Sequence, residues 1–347
     1  VQDSAEIDLR SDTVTKPTPE MRQAMSEAPV GDDVYGEDPT VNRLQKMAAD
    51  LLGFEEGLFV PSGTMGNQTA VNVHTEPGNE VILEEKCHIF NYEMATMASF
   101  SGVMPRTITT SDGVMPLDEV KDKVQDDIYY LSRTGLICLE NSHNGQGGRV
   151  YPRSEAWKVL QLATEKGIAT HLDGARLFNA CEAAGIEPAS FAKGFDSVMF
   201  CLSKGLGAPV GSMLVGDEEF IKSARATRKR LGGGMRQVGV LAAAGIYALE
   251  NNLARLKVDH RNAKKLAQGL KDLGFEIQPD PPETNILFAD GKELEADFAE
   301  ISDELKTAGI RVSPGQGNVT RLVTHLGISE EDVDFFLDRL KEVINLP

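Results

Sequence analysis

Short apolar runs punctuate the chain at intervals that suit alternating strands and helices. Residues 57–60, 81–83, 136–139, 168–172 and 198–202 read as short strands, apolar but for Gly57 and the Thr170-His171 pair, each too short for a helix of ordinary length. Amphipathic stretches such as 154–166 lie between them, and a helix-like segment through Val73 follows the first run. Strands that lack polar alternation are buried on both faces, so the pattern predicts an α/β fold with a mainly parallel sheet covered by helices. After Arg255 the texture changes. A helix over 256–273, a strand over 275–278, a turn at 279–282 and a strand over 285–288 are expected there. A helix over 296–308, strands near Ile310 and Leu322 and a last helix from Glu330 complete it. The pattern predicts a large domain over 21–255 and a small α+β C-terminal domain over 256–347.

Composition narrows the class. The chain has 347 residues, 41% of them hydrophobic, and a net charge of 35 − 53 = −18. That balance argues against the broad cationic footprint of nucleic-acid binding, while leaving room for a local basic pocket around a small anion. The longest suspicious apolar run, 238–249, spans twelve residues; a membrane span needs roughly twenty. The start of the chain shows neither a basic nor an apolar leader region, and the four cysteines form no CxxC pair. The expectation is a cytoplasmic enzyme with buried thiols, no disulfide framework, no bound metal and no membrane association.

Candidate chemistry sits where strands end, which in open α/β sheets is where ligands bind. Asp173 closes one predicted strand and Lys204 follows another, 204 − 173 = 31 residues later, about one helix-plus-strand unit. A lysine on a Gly-rich turn after a buried strand suits a Schiff-base amine. An acid beside a pyridine nitrogen would keep such a ring protonated. On spacing alone, a solvated turn lysine and a helix-capping aspartate remain equally open. The third element is Pro61-Ser62-Gly63-Thr64-Met65-Gly66-Asn67, a small-residue turn that is neither a Walker loop nor a Rossmann fingerprint. Its hydroxyls and helix-start N–H groups could cradle a phosphate. The three elements together point to pyridoxal phosphate.

Several blocks then resemble the L-threonine aldolase family. They are Ile7-Asp8-Leu9-Arg10-Ser11-Asp12-Thr13, Gly31-Asp32-Asp33-Val34-Tyr35-Gly36, Cys87-His88-Ile89-Phe90 and Glu140-Asn141-Ser142-His143-Asn144. His171-Leu172-Asp173-Gly174-Ala175-Arg176, Leu231-Gly232-Gly233-Gly234-Met235-Arg236 and Arg321-Leu322-Val323-Thr324-His325 continue the series into the small lobe. The resemblance covers essentially the whole chain. It implies a fold type I pyridoxal phosphate architecture of the aspartate aminotransferase kind. It further implies a homotetramer with shared active sites, and cleavage of β-hydroxy-α-amino acids to glycine and an aldehyde. Residues 1–20 are then expected to contribute to the active site.

The resemblance also implies individual roles. Lys204, preceded by Ser203, would carry the cofactor, Asp173 would pair with its ring nitrogen, and Gly63 and Thr64 would hold its phosphate. His88 would stack on the ring and take the proton of the substrate hydroxyl. Arg176, Arg321 and Ser11 would bind the substrate carboxylate, a task that suits the planar guanidinium fork. Tyr35, Lys229 and Arg236 correspond to positions near cofactor or substrate, and His143 to one near the cofactor edge. Where many family members carry a histidine before Arg133-Thr134, this chain has Tyr129-Tyr130. Tyr130 is therefore the candidate there, and a phenol is a poor base near neutrality.

Structural readings stand beside these roles. His88 could be a satisfied strand-end histidine, and Arg176 an i,i+3 partner of Asp173 at a helix start. Arg321 could lie on a solvated strand face, Lys229 and Arg236 in a surface charge run, and His143 in the framework. A β-eliminating lyase or an aminotransferase would share the lysine, the acid and the phosphate cradle, so those activities remain the alternatives.

Overall fold

The structure is a computed structural model that describes residues 6–126 and 128–344. In chain order its strands are β1 (Ile7–Asp8), β2 (Glu56–Val60), β3 (Glu80–Glu84), β4 (Met104–Ile108), β5 (Thr134–Glu140) and β6 (Ala169–Asp173). They continue with β7 (Ser197–Cys201), β8 (Ser212–Gly216), β9 (Glu276–Gln278), β10 (Ile286–Asp290), β11 (Ile310–Arg311) and β12 (Val319–Val323). Seven of them form the large sheet in the order β2-β8-β7-β6-β5-β3-β4. Only β8 runs against its neighbours in that sheet.

The predicted runs 57–60, 81–83, 136–139, 168–172 and 198–202 fall on β2, β3, β5, β6 and β7. Strands β3, β7 and β8 are buried along their whole length, as an absence of polar alternation requires. Each fully buried Leu, Val or Ile stabilises the sheet by roughly 1.5–3 kcal/mol relative to exposure. Helices cover both faces, and their ends follow local rules. The helix Arg153–Lys166 stops at Gly167, whose φ of 63° is the left-handed conformation that a C-terminal glycine accepts without strain.

The small lobe has its own core. Strands β9, β10 and β12 form an antiparallel sheet in the order β12-β10-β9. Helices Leu256–Asp272, Phe298–Thr307 and Glu330–Val343 belong to the same lobe, and Leu266, Leu270, Phe298, Leu322 and Phe336 pack together in its core. Ile7 and Leu9 join that core, because β1 pairs in parallel with β11. The first described residues thus add a strand to the last part of the chain. From there the chain crosses to the large sheet, where Ser11 caps the turn Asp12–Val14 and Thr15 Oγ1 donates to the Lys204 carbonyl at 3.0 Å.

Candidate active site

Parallel pairing puts the carboxyl ends of β5, β6 and β7 side by side: Glu140 faces Asp173 and Asp173 faces Met199 across the ladder. Lys204 lies on the turn just beyond β7, half-buried, with Ser203 before it. The helix Gly63–His74 begins directly after β2. Its N-cap Ser62 accepts the Met65 N–H at 3.1 Å, which leaves the Gly63 and Thr64 N–H groups without helical partners at the helix start. A Cβ at Gly63 would sit 3.0 Å from the Cys201 sulfur, so a side chain there would crowd the strand end that carries Lys204. A lysine amine, a buried acid and a glycine-lined anion cradle therefore share one sheet edge. That donor set fits an aldehyde cofactor with a phosphate and a basic ring nitrogen.

Behind Asp173 the polar groups are densely paired. The Asp173 carboxylate accepts from Ala175 N at 3.0 Å and from the Asn67 amide at 2.8 Å. The same Asn67 nitrogen donates to Glu93 at 2.9 Å, and Gln68 donates to the other Glu93 oxygen at 2.6 Å. His88 Nδ1 lies 2.9 Å from Glu93 Oε1. Ligand atoms of His88, Glu93 and Asp173 all fall within 4.8 Å of one another. Burial, together with the charge of Asp173, raises the Glu93 pKa. Burial works against a charge on His88, but the Glu93 hydrogen bond and the charges of Asp173, Glu93 and Glu140 outweigh it and raise its pKa. With Nδ1 donating to Glu93, the Nε2 lone pair is the free face of the ring.

A second cluster gathers arginines. Arg176 forms a two-pronged pair with Asp12, at 2.7 and 2.6 Å, and both side chains are buried. Burial opposes the Asp12 charge, yet Arg176, Lys204 and His325 hold its carboxyl down to about 2. Asn144 Oδ1 accepts from Arg176 at 3.4 Å and from Arg321 at 2.8 Å. Arg321 has no carboxylate partner among the described residues, and burial followed by the charge of Arg176 lowers its pKa. Glu140 links the two clusters: one oxygen accepts the His88 N–H at 2.7 Å and the other the Asn144 N–H at 2.8 Å.

The structure thus brings Lys204, Asp173, His88, Gly63, Thr64, Arg176, Arg321 and Ser11 to one region. Arg176 does not pair with Asp173, despite their helix-start spacing; Asp173 is taken by Asn67 and Ala175, and Arg176 by Asp12. His143 is buried against Glu84 at 3.0 Å, a framework contact. Burial opposes its charge while Glu140 and Glu84 raise its pKa. Tyr35 and Tyr130 are exposed at 75% and 68%, and Lys229 and Arg236 are exposed as well. Arg236 pairs with Asp32 at 2.9 Å, and none of these four is bonded to the cluster among the described residues. Sequence reasoning missed Asp12, Asn67, Glu93, Glu140 and Asn144. Glu140 was findable by the strand-end rule that singled out Asp173, whereas Glu93 depends on how the chain folds back after His88.

This fold and this site define a fold type I pyridoxal phosphate enzyme. The family model described as beta-eliminating lyase matches residues 8–293. A low-specificity L-threonine aldolase from Arabidopsis thaliana is 45% identical over 97% of this chain and 96% of its own length. The low-specificity L-threonine aldolase of Escherichia coli K12 is 45% identical over 94% and 96%. Among solved structures, a Leishmania major threonine aldolase superposes with a TM-score of 0.83 over 97% of this chain and 99% of that one, at 21% identity. The chain belongs to the low-specificity L-threonine aldolase family.

Proposed function

We propose that this protein cleaves L-threonine and L-allo-threonine, as members of a wider class of L-β-hydroxy-α-amino acids, to glycine and an aldehyde with pyridoxal phosphate as cofactor. The observation that carries the reading is the convergence at one sheet edge of Lys204, Asp173 and an arginine, Arg321, that has no carboxylate of its own among the described residues. When bound, the cofactor supplies the electron sink that accepts the pair released from the Cα–Cβ bond. Lys204 is the amine that would hold the cofactor's aldehyde carbon. Asp173 holds a proton at the ring nitrogen, while the Gly63 and Thr64 N–H groups and the Thr64 hydroxyl hold the phosphate.

Arg321 and Arg176 bind the substrate carboxylate, Arg176 through the Nη1 that its Asp12 pair leaves over, and Asn144 fixes both arginines with one oxygen. Clamping that carboxylate would fix the rotation about the Cα–N bond and so choose which bond at Cα is cleaved; positioning of this kind contributes several kcal/mol. His88 Nε2 takes the proton from the β-hydroxyl as the aldehyde C=O forms. The proton that Cα needs to become glycine completes the balance. A histidine suits the step because the unperturbed imidazole pKa lies near neutrality. Ser203 and Ser11 line the same site.

The finer reading includes a cytoplasmic homotetramer whose neighbouring subunit completes the site with residues among Tyr35, Lys229 and Arg236, and a Tyr130 that approaches the substrate. These residues are solvent-exposed in the single chain, which is compatible with such a role. In domain terms, 21–255 form the cofactor-binding body, 256–347 the small lobe and 1–20 a segment contributing to the site; within it residues 6–20 carry Ser11 and Asp12, while 1–5 and 345–347 lie outside the described residues. The test is an absorbance scan of the purified protein, followed by addition of L-allo-threonine with acetaldehyde detected by a coupled dehydrogenase. A visible band with release of acetaldehyde and glycine is expected. Release of pyruvate and ammonia, or conversion of the cofactor to its amine form, would instead select the eliminating lyase or the aminotransferase.

A further inference from the structure

Asp173 is backed by a line of polar side chains that the reaction above leaves unused. Asn67 Nδ2 lies 2.8 Å from Asp173 Oδ2 and 2.9 Å from Glu93 Oε1, and its oxygen lies 3.1 Å from His171 Nε2. The other ring nitrogen of His171 is 2.8 Å from Ser197 Oγ, which is also 2.8 Å from His74 Nε2. Asn67, His171 and Ser197 are buried. His74, in the last turn of the helix Gly63–His74, is half-buried and stacks on Phe220 with ring centroids 4.6 Å apart.

The direction of each proton follows from the two carboxylates at the end of the line. Both Asn67 N–H groups point to Asp173 and Glu93, since the reversed amide would set its oxygen against two acceptors. The Asn67 oxygen can only accept, so His171 carries its proton on Nε2. A neutral imidazole then offers Nδ1 as an acceptor, and the Ser197 hydroxyl has to donate to it. With its one hydrogen committed, Ser197 accepts from His74, which therefore carries its proton on Nε2. Burial pushes His171 down to about 3 and His74 down to about 4, so both rings stay neutral through the physiological range.

We propose that His74, Ser197 and His171 form a one-way chain of donors that locks the Asn67 amide and, through it, orients the Asp173 carboxylate toward the cofactor ring nitrogen. The three are positioning residues, and the inference rests on the reading of Asp173 as the acid at that nitrogen. A carboxylate buried to this depth needs its lone pairs met. Here a neutral donor meets one of them, so the Asp173 charge remains available to hold the ring proton. A cation in the place of His171 would compete for it.

The test uses holoenzyme labelled with 15N in its histidines, whose ring tautomers are read from two-bond proton–nitrogen spectra between about pH 6 and about pH 9. His171 and His74, assigned by His171→Gln and His74→Gln, are expected as neutral Nε2–H rings throughout. An Nδ1–H or protonated ring at either position overturns the proposal. Ser197→Ala is expected to turn His171 into a mixture of tautomers and to lower kcat about 3- to 10-fold with KM unchanged, the loss of one hydrogen bond. His171→Gln keeps an N–H at similar reach and should stay within about 3-fold of the parent, whereas His171→Leu should lose about 10-fold or more. A Ser197→Ala enzyme with parental kcat and tautomer, or a His171→Leu enzyme no worse than His171→Gln, contradicts the chain. Asp173→Ala separates the two levels: if that enzyme turns over normally, the reading of Asp173 itself fails, whatever the histidines do.

Discussion

The carboxylate cluster around Asp173 and the arginine cluster around Asn144 share one sheet edge but draw on different parts of the chain. Every side-chain partner in the first, Asn67, Gln68, Glu93, His88 and His171, belongs to the large sheet, its helices and its loops. The second joins Asp12 from the N-terminal strap, Asn144 and Arg176 from the large sheet, and Arg321 and Asn285 from the small lobe. The Asp173 side, proposed to face the cofactor ring, is thus fixed within one packed body. The anion-binding side depends on how the strap and the small lobe seat against it. The difference teaches where kcat and KM should separate: changes in the first cluster act on bond breaking, and changes in the second act on substrate capture.

The sharpest break is Asp173→Ala, which removes the acid proposed to hold a proton at the ring nitrogen. Its kcat for acetaldehyde release should fall roughly 10³-fold with KM little changed; an equal loss in KM would erase the distinction. Next is Asp12→Asn, which leaves the buried Arg176 without its countercharge and should lower stability by about 3 kcal/mol in urea unfolding. The pH dependence has a definite sign. The folded Asp12 carboxyl sits at about 2, below its ordinary 3.8. Its contribution is therefore complete above about 3.8 and is lost as pH falls through about 2. Asp12→Asn should flatten stability across that window.

Arg321→Ala comes third, with kcat/KM reduced about 10²-fold, mostly through KM, and Arg321→Lys recovering only part because the fork is lost. A fall confined to kcat would move Arg321 to the chemical side. The smallest effect is Glu93→Gln. It keeps a partner for His88 but removes a charge that raises the His88 pKa, so the acid limb of kcat/KM should move to lower pH. An unmoved limb would mean that His88 does not set it.

The same comparison explains what could be read from sequence. Strands β3, β5 and β7 were legible because burial on both faces leaves continuous apolar runs, whereas β6 carries the buried polar residues Thr170, His171 and Asp173. The edge strand β4, Met-Pro-Arg-Thr-Ile, carries a proline and the Arg106 that pairs with Glu80, so its composition hides it. Strand β8 is five residues between Gly211 and Asp217, and nothing in its neighbours signals that it runs antiparallel. Within the site, Asp173 and Lys204 were legible as strand-end residues. Asn67 stood in the quoted turn without a role of its own, because that role appears only when Glu93 and Asp173 arrive on either side of its amide. Asp12 and Arg176 are 164 residues apart, and no local pattern announces such a pair.

All of this rests on Lys204 carrying the cofactor. The direct measurement is borohydride reduction of the pyridoxal phosphate-loaded protein, followed by proteolysis and mass mapping of the stable adduct. The structure predicts a phosphopyridoxyl group on Lys204 alone. A label on Lys86, Lys229 or another lysine, or no label on a protein that still releases acetaldehyde, would contradict the account.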